Sequence, residues 1–319
     1  MQVHRNLNQL PVFTNAVITI GTFDGVHTGH QQIIHLLKEE AEKIKGETVI
    51  ITFDPHPRKI IGSPGKEIRL INTLQEKTEL LSRKKIDHLV IASFTEAFSQ
   101  LTANQYIEEF LVQKFHPHTI IIGYDHRFGK ERKGDYHLLE HLSGKFGYVL
   151  KDIPVQVLNS VSISSTRIRE AIALSAISIA NEFLGYTFFF EGRVIEGNQL
   201  GRNLGYPTAN LKIENEEKLV PGNGVYAVEI ELLDKGHHSP LLKGMMNIGI
   251  RPTIGGGNRH IEVNIFDFDE DIYGKLLRVY VREYLRGEEK FNSLDQLKEQ
   301  LAIDKSRAIS ALSNPIAPF

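Results

Sequence analysis

Apolar positions in the first half of the chain follow two alternating rhythms. The short runs "AVITI" (16–20), "TVIITF" (48–53), "HLVIASF" (88–94) and "TIIIG" (119–123) are rich in β-branched residues. Such runs predict buried strands. Between them the spacing becomes helical. Ile33, Leu37, Ala41 and Ile44 fall on one face of "HQQIIHLLKEEAEKIK", and Leu74, Lys77 and Leu81 sit one turn apart in "NTLQEKTELLSRK", with Leu80 beside them. This alternation predicts a parallel sheet covered by helices.

After about residue 186 the pattern changes. "TFFFEGRVIEG", "GVYAVEIELLD", "LLKGMMNIGI", "RHIEVNIFDF" and "LLRVYVREYLR" are strand candidates separated by glycine-rich turns, with no helical pattern between them. Closely spaced strands of this kind predict a small antiparallel barrel or sandwich. A closing helix starts at "FNSLDQLKEQLA", where Ser293 and Gln296 have capping-box spacing and Leu294, Leu297 and Leu301 share a face. "REAIALSAISIANEFLG" (169–185) is helical in pattern and joins the halves. The fold class is α/β plus β, divided into residues 1–184 and 185–319.

Composition narrows the function. A chain of 319 residues is long enough for two domains. Its net charge of −2, with no basic block, gives no electrostatic reason to expect nucleic acid. The absence of cysteine excludes disulfides, thiolate metal sites and cysteine nucleophiles. The N-terminus lacks a signal-peptide pattern, and the densest apolar run, "FLGYTFFF", is too short to span a bilayer. The expectation is a cytoplasmic protein with no membrane partner.

Two segments of the first half carry candidate chemistry. "GTFDGVHTGH" (21–30) lies at a strand's carboxyl end and leads into a helix, a place suited to phosphate. Gly21 and Gly25 permit tight turning, and Gly29 permits close approach of a flat ligand. His27 and His30 can donate to phosphate oxygens. A structural loop and a zinc-binding histidine pair remain open alternatives. "SISSTRIRE" (162–170) opens a helical segment with hydroxyls and two arginines, either a second phosphate site or simple capping with solvated arginines.

The second half adds two more. In "EGRVIEGNQLGRNLGYPTANL" (191–211), Thr208 and Asn210 point the same way if the segment is extended, as oxygen ligands for Mg²⁺ held jointly with ATP phosphates; an ordinary turn is the alternative. In "HIEVNIFDF" (260–268), Ile261, Val263 and Ile265 share one strand face, so Glu262 projects from the other with Asn264. Glu262 is then a solvated carboxylate or a general base for a substrate hydroxyl.

Taken together, "GTFDGVHTGH", "TFDPHPRKI" (52–60), "NTLQEKTELL" (72–81), "GYDHRFGKERKGD" (123–135) and "ISSTRIR" resemble the FMN adenylyltransferase half of the bacterial bifunctional riboflavin kinase/FAD synthetase family. "GRNLGYPTAN", "MNIGIRPTIGG", "HIEVNIFDF" and "DIYGKLLRVYVREYLRGEEKFNSLDQL" resemble its riboflavin kinase module. The resemblance implies a Rossmann-like nucleotidyltransferase domain followed by a kinase barrel, using riboflavin, FMN, ATP and Mg²⁺. It assigns Gly21, Thr22, Phe23, Asp24, Gly25, His27, Gly29, His30, Ser165, Thr166 and Arg169 to the first ATP, with His27 and His30 on its phosphates and Gly29 on the adenine face. Asp125, Pro55 and Pro57 go to the flavin side. In the kinase half it assigns Gly201, Pro207, Thr208 and Asn210 to ATP, Thr208 and Asn210 to the metal, and Glu262 to the base. Asn247 is assigned to the flavin; Arg286 is either a flavin neighbour or half of a surface salt bridge. His126 stands where the family usually has phenylalanine, and Asn264 where it commonly has histidine. Rival readings are a chain active in one half only, a cytidylyltransferase-like first half, and a flavin-binding regulator.

Overall fold

All four β-branched runs of the first half are strands in the computed structural model, which describes residues 1–62, 68–153, 163–197, 201, 204–234, 237–238, 240–250 and 259–313. The strands are β1 (Gln2–His4), β2 (Val17–Ile20), β3 (Thr48–Asp54), β4 (His88–Ser93), β5 (Thr119–Ile122) and β6 (Val149–Asp152). They form one parallel sheet in the order β1-β4-β3-β2-β5-β6. The edge strands β1 and β6 escape the sequence reading because they are short and partly polar. From β2 the order runs through β3 and β4 on one side and through β5 and β6 on the other. The boundary between β2 and β5 is therefore the topological switch point, where open α/β sheets bind ligands.

Helix α1 (Thr28–Ile44) follows β2 and buries Ile34, Leu37, Glu40 and Ala41, a face turned slightly from the expected one, with Ile33 only half-buried. Glu40 is tolerated inside because Lys151 donates to it at 2.6 Å. Helix α2 (Pro57–Ile61) starts just beyond β3. Helix α3 (Leu74–Arg83) begins at a complete capping box: Glu76 N donates to Thr73 Oγ1 (3.2 Å), and Thr73 N donates to Glu76 (2.9 Å).

The chain divides into two units, Met1–Ile68 with Thr73–Ser164, and Arg69–Asn72 with Ser165–Phe319. In the second unit the helical stretch expected over 169–185 is two helices, α4 (Ser165–Ala173) and α5 (Ile177–Leu184). The break is at Ser175, which has φ 62° and places its hydroxyl 2.7 Å from that of Tyr226. That tertiary bond is invisible in the local sequence.

Strands β7 (Phe189–Ile195), β8 (Ala209–Lys212), β9 (Gly224–Asp234), β10 (His237–His238), β11 (Leu242–Ile250), β12 (Arg259–Ile265) and β13 (Leu276–Arg286) follow. Antiparallel pairing runs β9-β11-β12-β8-β7-β13 and returns to β9, closing a six-stranded barrel, with β10 extending from β9. Closure removes the exposed sheet edges. Helix α6 (Leu294–Ala311) packs Ala308 and the following Leu312 against Ala227, Met245 and Phe266 on one barrel face. Ser293 caps it, but Gln296 accepts from Asn292 N rather than from the cap, and Leu294 is exposed. Among the described residues no helix is long and apolar enough to cross a membrane.

Candidate active sites

The turn after β2 sits at the switch point. Gly21 N donates to Ile51 O (3.0 Å), holding the turn to β3. Phe23, Gly25 and Val26 all have positive φ, at 48°, 91° and 36°. Gly25 adopts that region freely; for a β-branched valine it is a strained conformation of the kind that clusters at ligand sites. His27 is the N-cap of α1, its Nδ1 accepting weakly from His30 N (3.4 Å). The helix N-terminus, with its partial positive charge, therefore opens at this turn.

The two imidazoles stack, with centroids 3.6 Å apart, and Phe23 backs His30 at 4.9 Å. His30 Nδ1 is buried without a hydrogen-bond partner. Burial first, then His27, then the Lys77 charge hold His30 well below the usual histidine range. A Cβ on Gly29 would meet the His27 ring at 3.3 Å, so the missing side chain makes room for that imidazole. A Cβ on Gly21 would press on the Phe23 ring at 3.2 Å; Gly21 serves packing, and tight turning falls to Gly25.

Thr22 and the buried Asp24 lie in the same turn. Pro55 follows β3 through a cis bond, and Pro57 opens α2, both beyond the carboxyl end of the strand beside β2. Asp125 is exposed in the loop leaving β5, on the other side of the switch point. Its neighbour His126 stacks on Phe128 at 6.0 Å and leaves Nε2 buried and unpartnered. Burial, the largest influence, pushes His126 down to about 4. Ser165, Thr166 and Arg169 lie in the first turns of α4 in the second unit, where Arg169 donates to Arg69 O at 2.9 Å. Ser162 lies outside the described residues.

In the barrel, strand register assembles what the sequence scatters. Arg286 pairs with Val225, Val225 with Asn247, Asn247 with Glu262, and Glu262 with Asn210. Directly opposed residues share a face, so one row across β13, β9, β11, β12 and β8 carries four of the expected site residues. Arg286, Asn247 and Glu262 line a 330 Å³ cavity with Asn264, Thr208 and residues of α6. Val263 and Ile265 line a separate 460 Å³ cavity with Pro207, Thr208 and Ala209, as the alternation of β12 requires. Thr208 borders both.

Glycines shape the space around the oxygen donors. A Cβ on Gly197 would overlap the Asn210 amide, and one on Gly201 would overlap the Tyr206 carbonyl and approach Thr208 Oγ1 at 3.3 Å. Asn264, buried, donates from Nδ2 to Pro207 O (2.7 Å) and so holds the turn that presents Thr208. Arg286 is not in a surface salt bridge: its guanidinium grips the fully buried Asp304 of α6, with Nη2 to Oδ2 at 2.7 Å. It is the only cation among the described residues lining either cavity, and it is already paired. No cluster of three or more histidine or acidic residues able to hold a metal alone occurs among the described residues. Hard oxygen donors in a glycine cradle suit Mg²⁺ shared with phosphate. Asn203, Arg202 and the segment 251–258, which contains all of "RPTIGG", lie outside the described residues.

A helix N-terminus with paired imidazoles at a switch point, and a barrel carrying a carboxylate beside oxygen donors, are two arrangements suited to phosphate groups. Comparison with known proteins makes this specific. Residues 10–167 match the FAD synthetase family model and residues 184–312 the riboflavin kinase model. The bifunctional riboflavin kinase/FMN adenylyltransferase of Haemophilus influenzae is 36% identical over 309 residues, covering 97% of this chain and 98% of that protein. The enzyme of the same description from Escherichia coli K12 is 36% identical, covering 97% of each. A crystal structure described as a macrolide-efflux protein from Streptococcus pneumoniae is similar with TM-score 0.85 and 31% identity, over 96% of this chain and 98% of that one. The chain belongs to the bifunctional riboflavin kinase/FMN adenylyltransferase family.

Proposed function

We propose that the two halves of the chain perform successive steps of flavin cofactor synthesis, and assign the chemistry to residues as follows. The chain phosphorylates riboflavin to FMN with ATP and adenylylates FMN to FAD with a second ATP, releasing pyrophosphate. The functional halves are 1–184 and 185–319, acting in the cytoplasm.

In the kinase step Glu262 accepts the proton of the ribityl 5′-hydroxyl as that oxygen attacks the γ-phosphorus and ADP departs. The observation that supports this is the row Arg286–Val225–Asn247–Glu262–Asn210, with Thr208 on the border of the two cavities. Flavin occupies the cavity lined by Asn247, Glu262 and Arg286, and the nucleotide enters from the Pro207–Thr208 side past Gly201. Thr208 and Asn210 would hold Mg²⁺, which supplies the positive charge that a cavity with one paired arginine lacks.

In the adenylyl step an FMN phosphate oxygen attacks the α-phosphorus of ATP. The turn Gly21–Gly25, Gly29 and the start of α1 receive the nucleotide. His27 and His30 donate to the phosphate oxygens as charge builds on them. Ser165, Thr166 and Arg169 are assigned to phosphate by the resemblance of their motif alone. Asp125, Pro55 and Pro57 belong to the flavin side.

The test is incubation with riboflavin, ATP and Mg²⁺ and chromatography of the flavins. Glu262→Gln should abolish FMN formation, about 1,000-fold or more, yet still convert added FMN to FAD. His30→Ala should do the reverse, by about 100-fold. Loss of both reactions from either folded variant would refute the two-site assignment.

A further inference from the structure

Lys77 occupies an unusual place for a lysine. It lies on the buried face of α3 and is 6% exposed, although lysine is almost never fully buried unless paired. Its Nζ donates to Thr22 O at 2.8 Å and to Thr52 Oγ1 at 3.3 Å. Thr52 Oγ1 donates in turn to the same Thr22 carbonyl at 3.0 Å. Donors from α3 and from β3 thus converge on one carbonyl of the turn after β2.

That carbonyl belongs to the peptide leading into Phe23, the first of the turn's three positive-φ residues. A strained turn persists only where its surroundings hold it, and this convergence is the hold. Burial lowers the Lys77 pKa, while Asp24 in the turn and Asp54 at the end of β3 oppose the shift. The same ammonium acts on His30 of α1, holding its pKa down after burial and His27. The capping box at Thr73 and Glu76 fixes the helix turn from which Lys77 extends.

We infer that Lys77 is a positioning residue for adenylyl transfer: anchored beneath the turn, it ties Thr22 so that His27, His30 and the N-terminus of α1 face the nucleotide phosphates. It does not itself touch substrate. The inference rests on the adenylyl-transfer reading given above.

The experiment uses the full chain and the nearly isosteric, uncharged Lys77→Met. Expected is a fall in kcat for FMN-to-FAD conversion of about 100-fold, the scale set by a misplacement of about 1 Å. KM for ATP should change by less than about threefold, because the contacts at issue are those made in the transition state. The acid limb of the kcat profile should move up in pH, since His30 loses a neighbouring cation. Riboflavin phosphorylation by the same preparation should stay within about twofold, since no kinase-site residue is altered. Thr52→Val, which removes one acceptor of Lys77 and one donor to the Thr22 carbonyl but keeps the charge, should lower FAD formation by about fivefold or less and leave the acid limb in place.

Wild-type kcat and an unmoved acid limb in Lys77→Met would overturn the inference. So would loss of amide-exchange protection across β2–β5 in that variant, which would make Lys77 a fold residue only. If the wild-type chain formed no FAD, the adenylyl-transfer reading itself would fail, and the two failures are thereby distinguished.

Discussion

The two proposed sites would meet the same triphosphate with different electrostatics. The first unit offers positive character of its own, a helix N-terminus and a buried ammonium, with two stacked imidazoles as hydrogen-bond donors. The barrel offers Glu262, Asn210, Thr208 and Asn247, with its lining arginine engaged by Asp304. A site that is already positive can stabilise charge on an α-phosphorus with fixed dipoles. A site of carboxylate and neutral oxygens needs a cation brought with the nucleotide. The fold dictates the difference. A parallel sheet ends in helix N-termini, whereas a closed antiparallel barrel presents side-chain rows and no helix dipole at its strands.

The largest effect that would test this contrast is at Asp304. Its carboxylate is fully buried against Arg286 and also accepts from Gln300 at 2.9 Å. Asp304→Ala leaves a largely buried guanidinium without its partner. The barrel should lose about 3–5 kcal/mol, seen as a lower denaturation midpoint, with FAD formation from supplied FMN unaffected at temperatures where the variant is folded. An unchanged midpoint would mean that Arg286 is free to serve as the phosphate cation, and the contrast in electrostatics would collapse.

Glycines give the next test. Gly197→Ala should cut riboflavin phosphorylation by about 100-fold, because its Cβ would overlap the Asn210 amide. Gly29→Ala meets the His27 ring at 3.3 Å, a contact that a small shift relieves, so adenylyl transfer should fall only about tenfold. Steady-state rates of both reactions on both variants check this. Equal losses would show that neither glycine shapes its site more strictly than the other.

How much of this was legible in the sequence follows from where the signals are local. Strand runs such as "TVIITF" and "GVYAVEIELLD" state their structure through composition alone, and β9 spans the latter run from end to end. The imidazole pair was legible as spacing, since three residues across an N-cap bring two side chains together. Lys77 was visible only as one more position on the face shared by Leu74 and Leu81. A charged residue inside an apolar stripe was the signal that it has a buried task. The row from Arg286 to Asn210 was not legible as geometry, because register between strands far apart in sequence is set by barrel closure. The break at Ser175 likewise depends on Tyr226, 51 residues away.

The smallest test concerns His126. Its folded value of about 4 lies below the ordinary 6.5. Between these pH values the unfolded chain binds a proton that the native chain refuses, so the stability this group contributes is full above 6.5, is lost as pH drops towards 4, and changes no further below. His126→Phe removes both that penalty and the unpartnered Nε2, while keeping a ring to stack on Phe128. The first unit of the variant should gain about 2 kcal/mol over wild type at pH 5, and about 1 kcal/mol or less at pH 8, where only the orphaned nitrogen is relieved. Thermal melts at the two pH values read the difference directly. An equal gain at both would mean that His126 takes up its proton without cost in the native state, and that the polar surroundings of this site extend from the turn after β2 to the loop after β5.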